Sequence, residues 1–393
     1  MTTSGTAPAK GTRPRNRRAL IIAAAGELFY RDGYAATSMN AIADAVAIRP
    51  SALYRHFRSK QDLLAAVVVE ASQAVREQLN STAADDLATT VGHAAVAHRT
   101  VGVILQRESR YLSLNSQSEV GDVVRTVRGR IADLIRIEHR HATPDQADFL
   151  ATCVLAVMTS ISYQSVQMPD ERLARLIADL VSAVTATEFS DTTGAVPPSK
   201  PPRLTETSRR SAILTTSSEL FAREGFSNVS IEDIGRAVGI AGPSVYNHFT
   251  GKIEILEAAF VRGNEWLRLD MNRALAEATG HEDALRQLLG GYIDFALDWP
   301  AFAHLLLTEV VELPEDTRHR IRVMQRDYIN EWVHLLRSLR PRLDATSARI
   351  RVQATIHIAN QIALTPHLQQ ASDSRARLLA VGSNTIGIRS ASM

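Results

Sequence analysis

Sliding the 393-residue chain against itself by 192 positions lays residues 18–64 on 210–256 without a gap, and about a third of the positions are identical. A duplication constrains the fold more than any other feature, because one architecture must serve both copies. The identities fall at apolar and turn positions. Glu27, Leu28, Phe29, Arg31 and Gly33 match Glu219, Leu220, Phe221, Arg223 and Gly225, and Ile42, Ala45, Val46 and Ile48 match Ile234, Ala237, Val238 and Ile240. The octapeptides "LYRHFRSK", from Leu53, and "VYNHFTGK", from Val245, repeat an order of aromatic, histidine, aromatic and lysine.

The likeness continues at a slightly changed offset. "LQRESRYLSL" from Leu105 resembles "LLTEVVELPE" from Leu306, and "VRGRIADLIR" from Val127 resembles "QRDYINEWVH" from Gln325. The duplicated unit is therefore a whole protein of roughly 190 residues, and the full chain is too long for one core. Between the copies, "SDTTGAVPPSKPPRLTETS" sets Pro197, Pro198, Pro201 and Pro202 where they block helix and sheet and favour an extended, semi-rigid linker.

Each copy reads as helix nearly throughout. Leu20, Ile21, Ala24, Leu28 and Phe29 share a helical face, which Gly33 ends as a left-handed cap. Thr37 or Ser38 caps the next helix, whose face is Met39, Ile42 and Val46; in the second copy Ser230 and Asp233 form a capping box ahead of Ile231, Ile234 and Val238. No run of alternating strands is present, so the expected fold class is all-α. Helices at about 38–46 and 50–56, joined by a turn at Ala47 and Ile48, have helix-turn-helix spacing, which frees the second helix to enter a major groove.

Those residues carry a family resemblance. "TSMNAIADAVAIRPSALYRHFRSKQDLL" and "VSIEDIGRAVGIAGPSVYNHFTGKIEIL" both resemble the signature of the TetR (tetracycline-repressor) family of bacterial regulators. The resemblance implies two tandem units, each a three-helix DNA-binding domain followed by a helical domain that binds a small effector and dimerises. The expected division is a basic arm at 1–14, helix-turn-helix domains at 15–65 and 207–257, regulatory domains at 66–189 and 258–393, and a linker at 190–206.

Carried over by motif position, Tyr54, Lys60 and Thr37 would contact phosphates, and Pro50, Ser51, Ala52 and Arg55 would lie nearest the bases. In the second copy Tyr246, Lys252 and Ser230 would hold phosphates, with Gly242, Pro243, Ser244 and Asn247 near bases. Ser38, Arg49, His56 and His248 complete the candidate surface, although the two histidines read more readily as packing residues. Lys10, Arg13, Arg15, Arg17 and Arg18 form an arm able to reach phosphates or the minor groove; a merely solubilising tail is the alternative. Two departures stand out: Ala47 occupies the turn position that Gly239 holds in the second copy, and Arg49 and Ala241 replace the usual serine cap.

The overall charge of +2 is uninformative, but its distribution is not. Residues 10–60 hold ten basic and three acidic side chains, against seven and five for 200–252, which makes the first copy the stronger phosphate ligand. The regulatory domains supply candidate effector contacts in Tyr111 and Tyr163, and in Tyr292, Phe295, Trp299, Phe302, His304, Tyr328 and Trp332; an aromatic stripe is more often core. A pocket of this kind suits an apolar effector. The last helices of each unit would form the dimer interface, either within one chain as a pseudo-dimer or between two chains. Unlike recognition helices then call for an imperfect inverted repeat as operator.

Other classes have less support. An apolar content of 45% with 22% charged residues is ordinary globular composition. The single Cys153 excludes an intrachain disulfide framework and fits a reducing, cytoplasmic setting. The run "NRRALIIAAAGELF" leads into Glu27, Arg31 and Asp32 without a cleavage site, and "FLATCVLAVMTSISY" falls short of the roughly 20 residues a membrane span requires. No metal, cofactor or catalytic motif is evident, and Glu138, His139 and His141 read as a solvated turn rather than an enzyme's centre. A helical interaction protein with degenerate helix-turn-helix units is the remaining alternative.

Overall fold

A computed structural model of the protein describes residues 17–163, 168–189 and 208–388. Lys10, Arg13 and Arg15 of the basic arm, and the proline-rich linker, lie outside the described residues, within which every regular element is helical. None of these helices is long and apolar enough to cross a membrane.

The first repeat runs through α1 (Arg17–Asp32), α2 (Met39–Ala45), α3 (Pro50–Leu53), α4 (Lys60–Asn80), α5 (Leu87–Ala97), α6 (Val101–Glu108), α7 (Leu114–Glu138), α8 (Pro144–Ser160) and α9 (Asp170–Thr185). The second comprises α10 (Arg209–Glu224), α11 (Ile231–Val238), α12 (Gly242–Val245), α13 (Lys252–Glu277), α14 (His281–Asp298), α15 (Pro300–Thr308), α16 (Glu315–Leu339), α17 (Ala345–Ala363), α18 (Pro366–Gln369) and α19 (Ser374–Ile386). The changed offset has a structural origin. α13 and α14 span 26 and 18 residues where α4 and α5 span 21 and 11, while α7 and α16 both span 25.

The small domains are built alike. Ile21, Phe29, Ile42, Leu53, Phe57 and Leu63 are buried in the first, and Ile213, Phe221, Ile234, Val245, Phe249 and Ile255 occupy the same positions in the second. Burying each side chain contributes about 1.5–3 kcal/mol, which explains why the repeat is fullest at these positions. Ser38 caps α2 by accepting from the Ala41 amide at 3.1 Å, and Ser230 and Asp233 form the capping box on α11. The motif's second helix is shorter than its sequence suggests. Beyond Leu53 the chain tightens into i→i−3 bonds, from the Arg55 amide to Ala52 and from the His56 amide to Leu53.

The compact units do not divide at the linker. One holds the chain to Ala151 together with Met158–Ala178; the other holds everything from Asp179 onward together with Thr152–Val157. Parts of α8 and α9 thus belong to the second unit, a division different from the expected break after residue 189. Inside that unit Asp179 lies 4.0 Å from Arg351, and Asn384 donates to the Thr187 hydroxyl at 2.9 Å.

Candidate nucleic-acid interface

In the first small domain the turn between α2 and α3 is held by two backbone bonds, from the Ala47 amide to Asp44 and from the Ile48 amide to Ala43, both 3.0 Å. This closure requires a left-handed residue, and Ala47 adopts φ 53°. The second domain makes the equivalent bonds to Arg236 and Gly235, with Gly239 at φ 74°. The missing glycine leaves the motif intact at the cost of local strain.

Pro50 then opens α3 with its ring pre-set for a first helical turn, and the Arg49 side chain makes no cap. The short helix and the turns after it present Arg49, Pro50, Ser51, Tyr54, Arg55, His56 and Arg58 to solvent. Tyr54 is 52% exposed, an unusual position for so large a ring, and Tyr246 is 56% exposed in the second copy. The side chains of Arg49, Arg55 and Arg58 make no hydrogen bond or ion pair among the described residues. Three exposed guanidinium groups and an exposed phenol thus fall within ten residues of the chain, the chemistry that neutralises and hydrogen-bonds a phosphate backbone.

The second copy keeps the geometry and loses the charge. Ala241, Asn247 and Thr250 occupy the positions of Arg49, Arg55 and Arg58, and the flanking Arg236 is paired with Asp233 at 3.0 Å. The capping-box hydroxyl of Ser230 holds the Asp233 carboxyl below the ordinary aspartate range. α11 and α12 meet closely, since a Cβ on Gly235 would stand 2.8 Å from the Gly242 amide nitrogen.

Several residues assigned to phosphate by their motif position have other partners. Thr37 is 3% exposed, and its hydroxyl donates to the Gly33 carbonyl at 2.7 Å, which puts it beyond reach of a ligand. The Lys60 ammonium donates to the carbonyls of Tyr34 and Thr37 at 2.7 and 2.8 Å and lies over the Tyr34 ring. Lys252 does the same with Phe226 and Val229, at 2.7 and 2.5 Å, and with the Phe226 ring. Desolvation lowers both ammonium pKa values. These lysines staple the loop ahead of each motif to the start of the following helix, so their repetition reflects structure. Ser230 likewise uses its hydroxyl in the capping box. The half-buried His248 gives its backbone carbonyl to Arg210, whose guanidinium lies over Phe249 as that of Arg18 lies over Phe57.

The description "Bacterial regulatory proteins, tetR family" matches residues 21–67 and again 213–259. Both helix-turn-helix segments thus match the TetR family, one in each copy. Among curated relatives, the HTH-type transcriptional activator FasR of Mycolicibacterium smegmatis is 29% identical over 93 residues, 24% of this chain and 42% of that protein. The uncharacterised HTH-type regulator YobS of Bacillus subtilis is 30% identical over 98 residues, 25% of this chain and 51% of that protein. The chain thus spans about half or less of the curated relatives it matches. A TetR-family transcriptional regulator from Bordetella parapertussis shares 22% identity over 46% of this chain and 93% of its own, with a TM-score of 0.42.

Sequence reasoning missed two features of these units. Arg58 belongs to the exposed cationic surface but was obscured because its repeat partner is Thr250. The buried Arg107–Glu108 pair joins α6 to the end of α1, with Arg107 donating to the Phe29 carbonyl at 2.8 Å. No periodicity marks that joint.

The candidate effector residues separate. Tyr111 stacks on Tyr34 at 4.8 Å and packs with the first small domain. The side chain of Tyr163 lies outside the described residues. In the second regulatory domain Trp266, Phe295, Tyr292, Tyr328 and Trp332 form a chain of ring contacts 5.1–6.4 Å apart, and the Tyr292 hydroxyl donates to Asn360 at 3.0 Å. Tyr292, Phe295, Tyr328 and Trp332 are buried, with burial pushing both phenols up; Phe302 is also buried, edge-on to Trp299.

Proposed function

We propose that the chain is a ligand-responsive, sequence-specific DNA-binding transcriptional regulator. The observation that carries this reading is the exposed group Arg49, Tyr54, Arg55 and Arg58, held on a helix-turn-helix whose core and staples are complete. Pro50, Ser51 and Ala52 are the residues proposed nearest the bases, with Ser38, Arg17 and the arm residue Arg15 at the flanks. In the second copy Tyr246, Asn247, Pro243 and Ser244 take these parts.

The proposed operator is an imperfect inverted repeat, because the two recognition segments differ at nearly every exposed position. An intrachain pseudo-dimer is the favoured assembly. Its support is the membership of Thr152–Val157 and the segment from Asp179 in the second compact unit, anchored there by Arg351 and Asn384. The effector is proposed to enter the second regulatory domain beside the buried Tyr292, Tyr328 and Trp332, whose apolar ring chain suits a largely apolar molecule. Repression relieved by that molecule is the proposed sign of control.

The test is selection of host genomic fragments by the purified protein, followed by anisotropy titration at rising salt. The reading requires binding that weakens steeply with salt; no binding at low salt overturns it. A mass near 43 kDa for the DNA-bound protein supports the pseudo-dimer, and twice that mass rejects it.

A further inference from the structure

We propose that the two helix-turn-helix units divide the DNA work unequally, the first supplying the ionic grip and the second acting as a near-neutral reading head. The inference rests on the regulator reading above and extends it.

Its basis is a position-by-position comparison of the cations. Of the four cation positions shared by both copies, three have intramolecular partners in both, and the fourth, Arg17 and its counterpart Arg209, lies at the flank. Arg18 pairs with Glu70 and Arg210 with Glu254, Arg31 pairs with Asp32 and Arg223 with Glu224, and Lys60 and Lys252 staple backbone carbonyls. The copies part at the reading edge. There the first carries Arg49, Arg55 and Arg58, all exposed and without ion-pair partners among the described residues, while residues 241–250 of the second carry no formal charge.

The motif helices ahead of the two reading edges do not offset this difference, since each carries a net charge of −1, from Asp44 in the first copy and from Glu232, Asp233 and Arg236 in the second. Glu232 stands where the first copy has Asn40 and is exposed; its Cα would lie 3.2 Å from a Cβ on Gly242, so it borders the start of α12. Arg236, the cation nearest in sequence to that helix, is neutralised by Asp233. A phosphate approaching this edge meets one unpaired carboxylate and a surface of neutral donors, Ser244, Tyr246 and Asn247.

Counterion release follows the number of phosphates neutralised, so the first unit should set nearly all of the salt dependence at the reading edges. The second unit then engages from high effective concentration, because the same chain already holds the DNA. Hydrogen-bonding side chains without ionic attraction suit it to discriminate sequence rather than to capture DNA.

The test measures the slope of log affinity against log salt for the full-length protein on a random-sequence duplex about 40 base pairs long, enough for half-sites a helical turn apart. Arg49→Gln, Arg55→Gln and Arg58→Gln should each reduce the slope by about 1, and Arg236→Gln should leave it unchanged. The reverse experiment places Ala241→Arg, Asn247→Arg and Thr250→Arg together, which should steepen the slope by about 3 if the second unit lies on the DNA. Glu232→Gln should tighten binding. Equal effects of Arg236→Gln and Arg55→Gln overturn the division, as does an unchanged slope in the triple arginine variant, which would put the second unit off the DNA. Complete absence of binding by the unmodified protein would instead reject the regulator reading itself. All of these side chains are exposed, and unchanged melting curves separate a charge effect from misfolding.

Discussion

The Lys60 ammonium lies 2.7 Å from the carbonyl oxygen of Tyr34, and Lys252 repeats that bond, at the same length, to Phe226. Each lysine satisfies backbone carbonyls that precede the motif helix. Hydrogen bonds from a charged donor are worth about 1.5–3 kcal/mol, less where water reaches the group. Lys60→Met is therefore expected to lower the stability of the first small domain by about 1–2 kcal/mol. The salt slope of DNA binding should hardly move. A slope reduced by about 1 with unchanged melting would return the ammonium to phosphate contact.

A second expectation concerns the turn. Ala47 and Gly239 occupy the same left-handed position, at φ 53° and 74°, and an L side chain there costs roughly 1–2 kcal/mol. A Cβ at Gly239 would have no heavy atom within 4 Å, so the effect of Gly239→Ala is one of backbone conformation alone. Chemical denaturation should show Gly239→Ala destabilising by about 1 kcal/mol and Ala47→Gly stabilising by about 0.5–1 kcal/mol, once the looser unfolded chain is counted.

The buried His357 supplies a pH dependence. Burial pushes its imidazole down to about 4 from an ordinary value of 6.5. The folded state thus refuses a proton that the unfolded chain accepts, so the contribution is intact above pH 6.5 and is lost as pH falls towards 4. The loss approaches about 1.4 kcal/mol per pH unit within that window. Denaturant titrations at successive pH values should show His357→Gln flattening this decline; identical pH profiles would falsify the assignment.

Much of this was legible in the residues. Apolar spacing at Ile42, Leu53 and Phe57 and the glycine at position 33 defined the small domain, because burial and left-handed geometry admit few residue types. The exposed surface was read in part. The exposure of Tyr54 and Arg55 followed from their place after the turn, whereas the carbonyl partners of Lys60 did not, since a cation opening a helix suits phosphate by electrostatics and the loop that supplies those carbonyls is distant in sequence. The burial of Thr37 was not legible for a related reason: a hydroxyl beside Ser38 does not reveal which of the two faces inward. The allocation of α8 and α9 depends on contacts distant in sequence, which no local pattern encodes.

The joint between α1 and α6 offers the last expectation. Glu108 is 2% exposed, and its carboxylate is balanced by Arg107, which also holds the Phe29 carbonyl at the end of α1. Removing one member of such a pair strands the other charge away from water, at about 3–5 kcal/mol, whereas removing both leaves only lost packing and one lost hydrogen bond. Arg107→Ala should therefore destabilise the first unit by about 3 kcal/mol, and the double variant with Glu108→Ala should recover part of that loss. A double-mutant cycle in denaturant measures the coupling directly. Strict additivity would mean that Glu108 is stabilised by its backbone surroundings, and that α6 is held to the DNA-binding domain by apolar packing instead of by this pair.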